Sequence, residues 1–258
     1  MNVAVINDIH ANYQALKKID AMLASMTIDK VVVLGDLLSY GVDVQLTLDL
    51  LVQMKQQYDC VFIKGNHDQI YFDFQAGRNH QYKPFPKFLE ESVQHTAKQL
   101  SEPLIDQFDW LDSLTIRDVF FSHANALGYK NWSYLNYPDQ FGKNLPALKA
   151  LGYRVGVFGH THRAKYISGV DLDGIADLAV KPLLEELTIG PNTTFLMTNG
   201  SAGQPRGTQS SFMVIELGQD NYKFHQMAVD YDVALHCQQI NHSDLSISTK
   251  QRLLGYYE

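Results

Sequence analysis

Five short segments of the chain bring together residue types that bind divalent metals. They are Asp8-x-His10, Gly35-Asp36, Gly65-Asn66-His67-Asp68, Ser122-His123 and Gly159-His160-Thr161-His162. Carboxylate and amide oxygens beside imidazole nitrogens suit borderline ions such as Mn, Fe, Co or Zn. In an extended segment residues i and i+2 share a face, so Asp8 would point with His10, and His160 with His162. Taken singly, each segment has a plainer reading, such as a helix-capping aspartate beside a surface histidine. What sets them apart is position: each follows a short apolar run.

Those runs are Val3–Ile6, Val31–Leu34, Cys60–Ile63, Val119–Phe121 and Val155–Phe158, and they read as buried strands. Gly35 lets the backbone approach closely before Asp36, which then leaves the carboxyl end of its strand, where open α/β sheets place ligands. Ala15, Leu16, Ile19, Met22, Leu23 and Met26 fall at helical spacing, and a second helix is expected from about 43 to 57. The resulting order, strand–turn–helix repeated, implies parallel strands. Residues 69–113 are less regular and rich in aromatics (Tyr71, Phe72, Phe74, Tyr82, Phe85, Phe88), with helices expected at about 87–100 and 103–112. Leu114–Ile116 and Val119–Phe121 form a hairpin around Arg117-Asp118, and a helix follows at about 144–151. Strands are expected at about 164–168, 193–198, 211–217 and 222–229, with turns at Gly190-Pro191-Asn192 and Asn199-Gly200. They suggest a second, more antiparallel sheet, with the tail from Tyr231 as a helical cover. No repeat, linker or low-complexity tract interrupts the chain, so a single domain over 1–258 is expected.

Composition narrows the class. The 258 residues are 45% hydrophobic and 19% charged, as in an ordinary soluble globule, and the net charge is -7. That charge argues against nonspecific nucleic-acid binding and against an anionic membrane surface. No stretch approaches the roughly 20 apolar residues of a membrane span. Cys60 and Cys237 form neither a CxxC nor a disulfide framework, and the N-terminus carries no basic leader, so a cytoplasmic protein with reduced thiols is expected.

In their order and at their strand ends, the five segments closely resemble the calcineurin-like metallophosphoesterase superfamily, and within it the compact bacterial and archaeal phosphodiesterase-like branch. Asn199-Gly200-Ser201-Ala202-Gly203-Gln204-Pro205-Arg206 is similar to that branch's Asn-Pro-Gly-Ser-x-Gly-x-Pro-Arg segment, and Asn12 and Tyr231-Asp232-Val233 also fit it. The resemblance implies an α/β fold, a four-layer αββα sandwich of two mixed β-sheets flanked by helices, with two divalent metals. Manganese is the expected ion, with Fe, Co, Ni or Zn as alternatives. Carried over position by position, Asp8, His10 and His162 would hold one metal and Asn66, His123 and His160 the other, with Asp36 bridging. His67 would face the phosphate and Asp68 would orient it. Asn12, Tyr40 and Arg206 would contact substrate.

The implied activity is hydrolysis of a phosphate ester, most readily a phosphodiester, by a metal-bridging hydroxide. Two divalent ions against Asp8 and Asp36 leave a surplus near +2, which draws in phosphate and stabilises its developing charge. Phosphoprotein phosphatases and symmetrical dinucleoside tetraphosphatases carry an arginine where this chain has Tyr40 and another where it has Lys64. Purple acid phosphatases put a tyrosine ligand where it has Ser39. The alternatives are a phosphomonoesterase, or a nucleotide or dinucleoside polyphosphate hydrolase, on the same site. A catalytically inactive scaffold of the same fold is disfavoured by the intact ligand positions. A metal amidohydrolase would need His-x-His after the first strand and a (β/α)8 repeat. The expected partner is a small phosphate-ester substrate, with no nucleic-acid scaffold and no membrane; the oligomeric state is left open.

Overall fold

The computed structural model describes residues 1–78, 84–169, 181–182, 186–190, 194–207, 209–219 and 221–258. In chain order its elements begin β1 (Asn2–Ile6), α1 (Tyr13–Leu23), β2 (Lys30–Val33), α2 (Val44–Gln57), β3 (Cys60–Ile63) and α3 (Asn66–Gln75). Next come α4 (Lys87–Gln99), α5 (Leu104–Gln107), β4 (Trp110–Leu111), β5 (Leu114–Ile116), β6 (Val119–Ser122) and α6 (Pro138–Ala150). The chain continues with β7 (Val155–Phe158), β8 (Lys165–Gly169), β9 (Lys181–Pro182), β10 (Glu186–Ile189), β11 (Thr194–Thr198), β12 (Ser211–Leu217) and β13 (Tyr222–Ala228). It closes with α7 (Val233–His242) and α8 (Ile247–Leu254).

Two mixed sheets stack face to face. One runs β10-β13-β12-β1-β2-β3-β4, the other β5-β6-β7-β11-β8-β9. β1, β2, β3 and β4 pair in parallel, as do β6, β7 and β11. Alternation along β1 explains its apolar run: Val3 and Val5 enter the layer between the sheets with Phe121, Val157 and Met197. Ala4 and Ile6 face outward onto Leu16, Ile19, Leu48 and Leu51 of α1 and α2. On the far side Phe120, Phe158 and Leu196 pack against Phe141, Leu145 and Leu148 of α6. Helices therefore cover both outer faces, the expected αββα arrangement.

The late strands do not form a sheet of their own. β12 lies antiparallel to β1 and extends the first sheet, while β11 joins the second beside β7. Both β1 edges needed a partner, and β2 supplies only one. The helix expected over 103–112 is a single turn, after which the chain extends into β4. Phe108 stacks there on Phe62 with centroids 4.1 Å apart, and Trp110 meets Phe62 edge-on at 6.1 Å. Residues 69–75, the start of the stretch expected to be less regular, belong to α3. Asp68 sits in its first turn and accepts from the Gly65 amide at 2.9 Å, a capping contact. α6 begins at Pro138, well before the expected 144, with the proline in its first turn. His80, Tyr82 and the Pro191-Asn192 part of an expected turn lie outside the described residues.

Candidate metal centre

Because β1, β2 and β3 run parallel in one sheet and β6 and β7 in the other, their carboxyl ends meet at one edge of the sandwich. There the backbone turns left-handed at non-glycine residues: φ is +50° at Asp8 and His10, +55° at Asp36, +63° at His160 and +57° at His162. Each costs on the order of 1 kcal/mol. Neighbouring main chain holds the turns: Asp8 N donates to Gly35 O at 3.1 Å, His10 N to Asp36 O at 3.0 Å and Gly159 N to His123 O at 2.8 Å. The i, i+2 argument therefore holds for Asp8 and His10 in outcome and not in cause, since turns rather than extended backbone bring them together. For His160 and His162 it fails: they enter different groups. Gly35 and Gly65 make the crossing possible. A Cβ on Gly35 would lie 2.4 Å from Gly65 N, and one on Gly65 would lie 2.2 Å from Asp36 Oδ1.

Two buried triads result, Asp8–His10–His162 and Asp36–His123–His160, each with ligand atoms within 4.8 Å of one another. Asp8 Oδ1 lies 3.3 Å from His162 Nε2 and 3.9 Å from His10 Nε2. Asp36 Oδ2 stands between the groups, 3.4 Å from His123 Nε2 and 3.8 Å from His10 Nε2. Asn66 Oδ1 closes the second group at 3.0 Å from His123 Nε2. All seven expected ligand positions converge here.

Each imidazole has one nitrogen tied to a backbone carbonyl. Nδ1 of His10 donates to Leu38 O at 2.9 Å, that of His123 to Leu34 O at 2.5 Å and that of His162 to Gln204 O at 2.6 Å. His160 is reversed, with Nε2 on Trp132 O at 2.9 Å. These bonds orient the rings and turn the other nitrogen inward on all four, the usual outer support of metal-bound histidine. Asp8 Oδ1 is buried without a hydrogen-bond partner, although Oδ2 accepts from Asn7 Nδ2 at 2.6 Å and His160 N at 2.9 Å. An orphaned carboxylate oxygen among inward-facing ring nitrogens fits a cation.

Electrostatics say the same. Burial, followed by the charge of His67, pushes His10 down to about 3. Burial and then His123 push His160 down to about 3. Both rings are thus neutral donors at pH 7. Burial pushes Asp8 up to about 6, with Asp36 adding to the rise and His123 opposing it. For His123 burial is overridden by Asp36, which with Asp8 holds it up at about 9. With acceptor sites this crowded, a proton on His123 stands where a cation would otherwise serve.

His67 and Tyr40 line the centre: the Tyr40 ring lies 4.7 Å from that of His10 and 4.8 Å from that of His67. His67 Nδ1 has no hydrogen-bond partner. The expected Asp68–His67 pairing is not formed. Asp68 instead accepts from the amides of Asp36 (2.7 Å), Leu37 (3.0 Å) and Gly65 (2.9 Å). Asn12 is not placed for substrate either. It is fully buried, its Oδ1 caps α1 through Ala15 N at 3.1 Å, and its Nδ2 donates to Gly203 O and Tyr231 Oη at 2.8 and 3.0 Å. Arg206 stands beside Tyr40 and Tyr256, its amide on His162 O at 3.2 Å. Lys64 is paired with Asp112 at 2.9 Å. Of the histidines outside the motifs, 95, 225 and 236 pair with Asp244, Glu216 and Tyr257.

Sequence reasoning missed the supports. Asn199 donates to Val5 O and to Asn7 Oδ1, and Ser201 Oγ donates to Asp8 O at 2.8 Å. Tyr134 stacks on His160 with centroids 4.2 Å apart. The Asn199–Arg206 segment was the available signal.

The model of the family described as calcineurin-like phosphoesterase matches residues 1–164. The protein MJ0912 of Methanocaldococcus jannaschii is 25% identical over 244 residues, covering 90% of this chain and 88% of its own. The crystal structure of a metallophosphoesterase from Sphaerobacter thermophilus superposes with a TM-score of 0.74 at 21% identity, covering 99% of this chain and 100% of that one. The protein PH1004 of Pyrococcus horikoshii OT3 gives 0.75 at 16% identity, with 98% and 97% covered.

Proposed function

The chain belongs to the calcineurin-like phosphoesterase family, and from that premise we propose that this metal-dependent phosphoesterase hydrolyses a small phosphodiester at a centre of two divalent ions. The observation that carries the reading is Asp36, whose carboxylate stands within 4 Å of a histidine from each triad. Asp8, His10 and His162 would hold one ion, Asn66, His123 and His160 the other, and Asp36 both. Bound there, the ions would supply Lewis acidity toward the phosphate and a water acidic enough to attack at neutral pH.

The protein's own residues do the rest. Two carboxylates among neutral imidazoles and an amide leave the loaded site electropositive, which orients an anionic ester. His67, off the ligand set and with Nδ1 unpaired, faces the phosphate and can carry the proton that the leaving oxygen needs. Arg206 is the guanidinium beside the site, since Lys64 is spent on Asp112. One fork suits a monoanionic diester better than a dianionic monoester. Tyr40, packed on His10 and His67, gives the second organic group a surface. Residues from β1 to Arg206 build the site together, which supports one domain over 1–258.

With manganese supplied, bis-p-nitrophenyl phosphate should be hydrolysed with higher kcat/KM than p-nitrophenyl phosphate, and Tyr40→Arg should shift the ratio toward the monoester. A wild-type preference for the monoester of tenfold or more would overturn the diesterase assignment.

A further inference from the structure

Beyond His162 the site opens into a cleft of which the chemistry above uses only Arg206, at one wall. Two lobes, of about 450 and about 430 Å³, meet at Asn136, Arg163 and Lys165. One runs from His162 toward Lys181 and the other is walled by Tyr134 and Arg206. No carboxylate lines either lobe among the described residues. Arg163, Lys165 and Arg206 enter no ion pair among the described residues, in a chain whose net charge is -7.

Their donors reach neutral acceptors only. Arg163 Nη1 donates to Arg206 O, Lys165 Nζ to Asn136 O at 3.4 Å, and Arg206 Nη2 to Gln204 Oε1 at 3.4 Å. Arg206 Nε is buried with no partner. Three cations gathered in one cleft repel one another, and partial burial followed by the Arg163 charge lowers the Lys165 pKa. Such a cluster becomes favourable when an anion enters it, and with Arg206 left to the scissile group, the Arg163 fork and the Lys165 ammonium match a phosphate dianion. The cleft is also tied to the reaction centre: Arg206 N donates to the carbonyl of His162, one residue before Arg163.

We propose that this cleft binds a second phosphate of the substrate, so that the natural substrate is a phosphodiester whose organic arm carries a further phosphate monoester. The assignment deepens the diesterase reading and rests on it for the position of the scissile group. Binding separates the two. In calorimetry, manganese-loaded protein should bind thymidine 3′,5′-bisphosphate at least about tenfold more tightly than thymidine 5′-monophosphate, as expected for new charge-assisted hydrogen bonds. R163Q/K165Q should cut that preference to about threefold or less, and Lys165→Gln alone, at the cleft wall, should reduce it by about threefold. The kcat/KM ratio between the 5′-p-nitrophenyl phosphodiesters of thymidine with and without a 3′-phosphate should follow the same pattern. Equal binding of the two nucleotides by the wild type, or a preference untouched by both variants, overturns the assignment. If neither ester releases p-nitrophenol while the binding preference and its loss hold, the diesterase reading fails and the cleft assignment stands.

Discussion

Asp68→Asn separates two ways in which this residue could matter. Its carboxylate receives three buried amides, those of Asp36 and Gly65 on Oδ2 and that of Leu37 on Oδ1. Asparagine keeps one oxygen. Placed on the Oδ2 side, it retains two bonds and turns its NH2 toward the Leu37 amide, donor against donor. One buried donor left unmatched costs about 1–3 kcal/mol. Opposing this, the substitution removes a charge beside Asp36; burial first and then that Asp36 charge push Asp68 up to about 7. The relief applies to the metal-free protein, so the net loss should be larger with metal bound. At roughly 2–4 °C per kcal/mol for a chain of this size, the loaded protein should melt about 2–12 °C lower. Because Asp68 clamps the turn that carries Asp36, metal affinity should fall with it. Thermal melts with and without manganese, and metal content by elemental analysis, would measure both. If the variant melts and loads as the wild type does while kcat falls by about a hundredfold or more, Asp68 acts through His67 and the clamp is wrong.

Asp36→Asn keeps the shape and removes the charge between the triads, so activity and metal should be lost together; full activity in that variant would contradict a shared ligand. His67→Ala should lower kcat by about 10²–10⁴ while both metals stay bound; loss of metal would contradict a role outside the ligand set. His236 gives a stability prediction independent of the metals: its Nε2 meets Tyr257 Oη at 3.0 Å, that hydroxyl donates to Gly203 O, and Nδ1 is buried without a partner. Burial lowers its pKa from 6.5 to about 4. The unfolded chain therefore binds the proton first on acidification, and stability is lost as pH falls from 6.5 toward 4. Denaturant unfolding of metal-free wild type and His236→Gln should diverge by about 3 kcal/mol across that window, and a pH-independent difference would refute the argument.

The ends of β1, β2, β3, β6 and β7 were legible because apolar runs buried on both faces stop abruptly at polar residues. What was not legible is non-local. Nothing near Ser211 announces that β12 will pair with β1 rather than found a sheet. The carbonyls of Leu34, Leu38, Trp132 and Gln204 that aim the imidazoles carry no residue-type signature, since any residue offers one. The backbone bonds of Asn12 and Asp68 are illegible for a related reason. Their side chains satisfy buried backbone donors and acceptors, a role that only the folded surroundings reveal. Phe108 and Trp110 read as helix from the sequence because their packing on Phe62 depends on a strand nearly fifty residues earlier.

The pairing of β1 with β12 also has a consequence in time. The loop bearing Asp8 receives the Ser201 hydroxyl from 193 positions further along the chain, and the His162 ring is held by the Gln204 carbonyl. At about 5–20 residues per second, a ribosome takes roughly 10–40 s to cover that distance. Until then β1 keeps one edge open and the first triad lacks its supports, so a nascent chain that already displays all seven ligands cannot hold metal as the finished protein does. Metal acquisition should thereby wait until residues 199–217 have been made and β12 closes on β1.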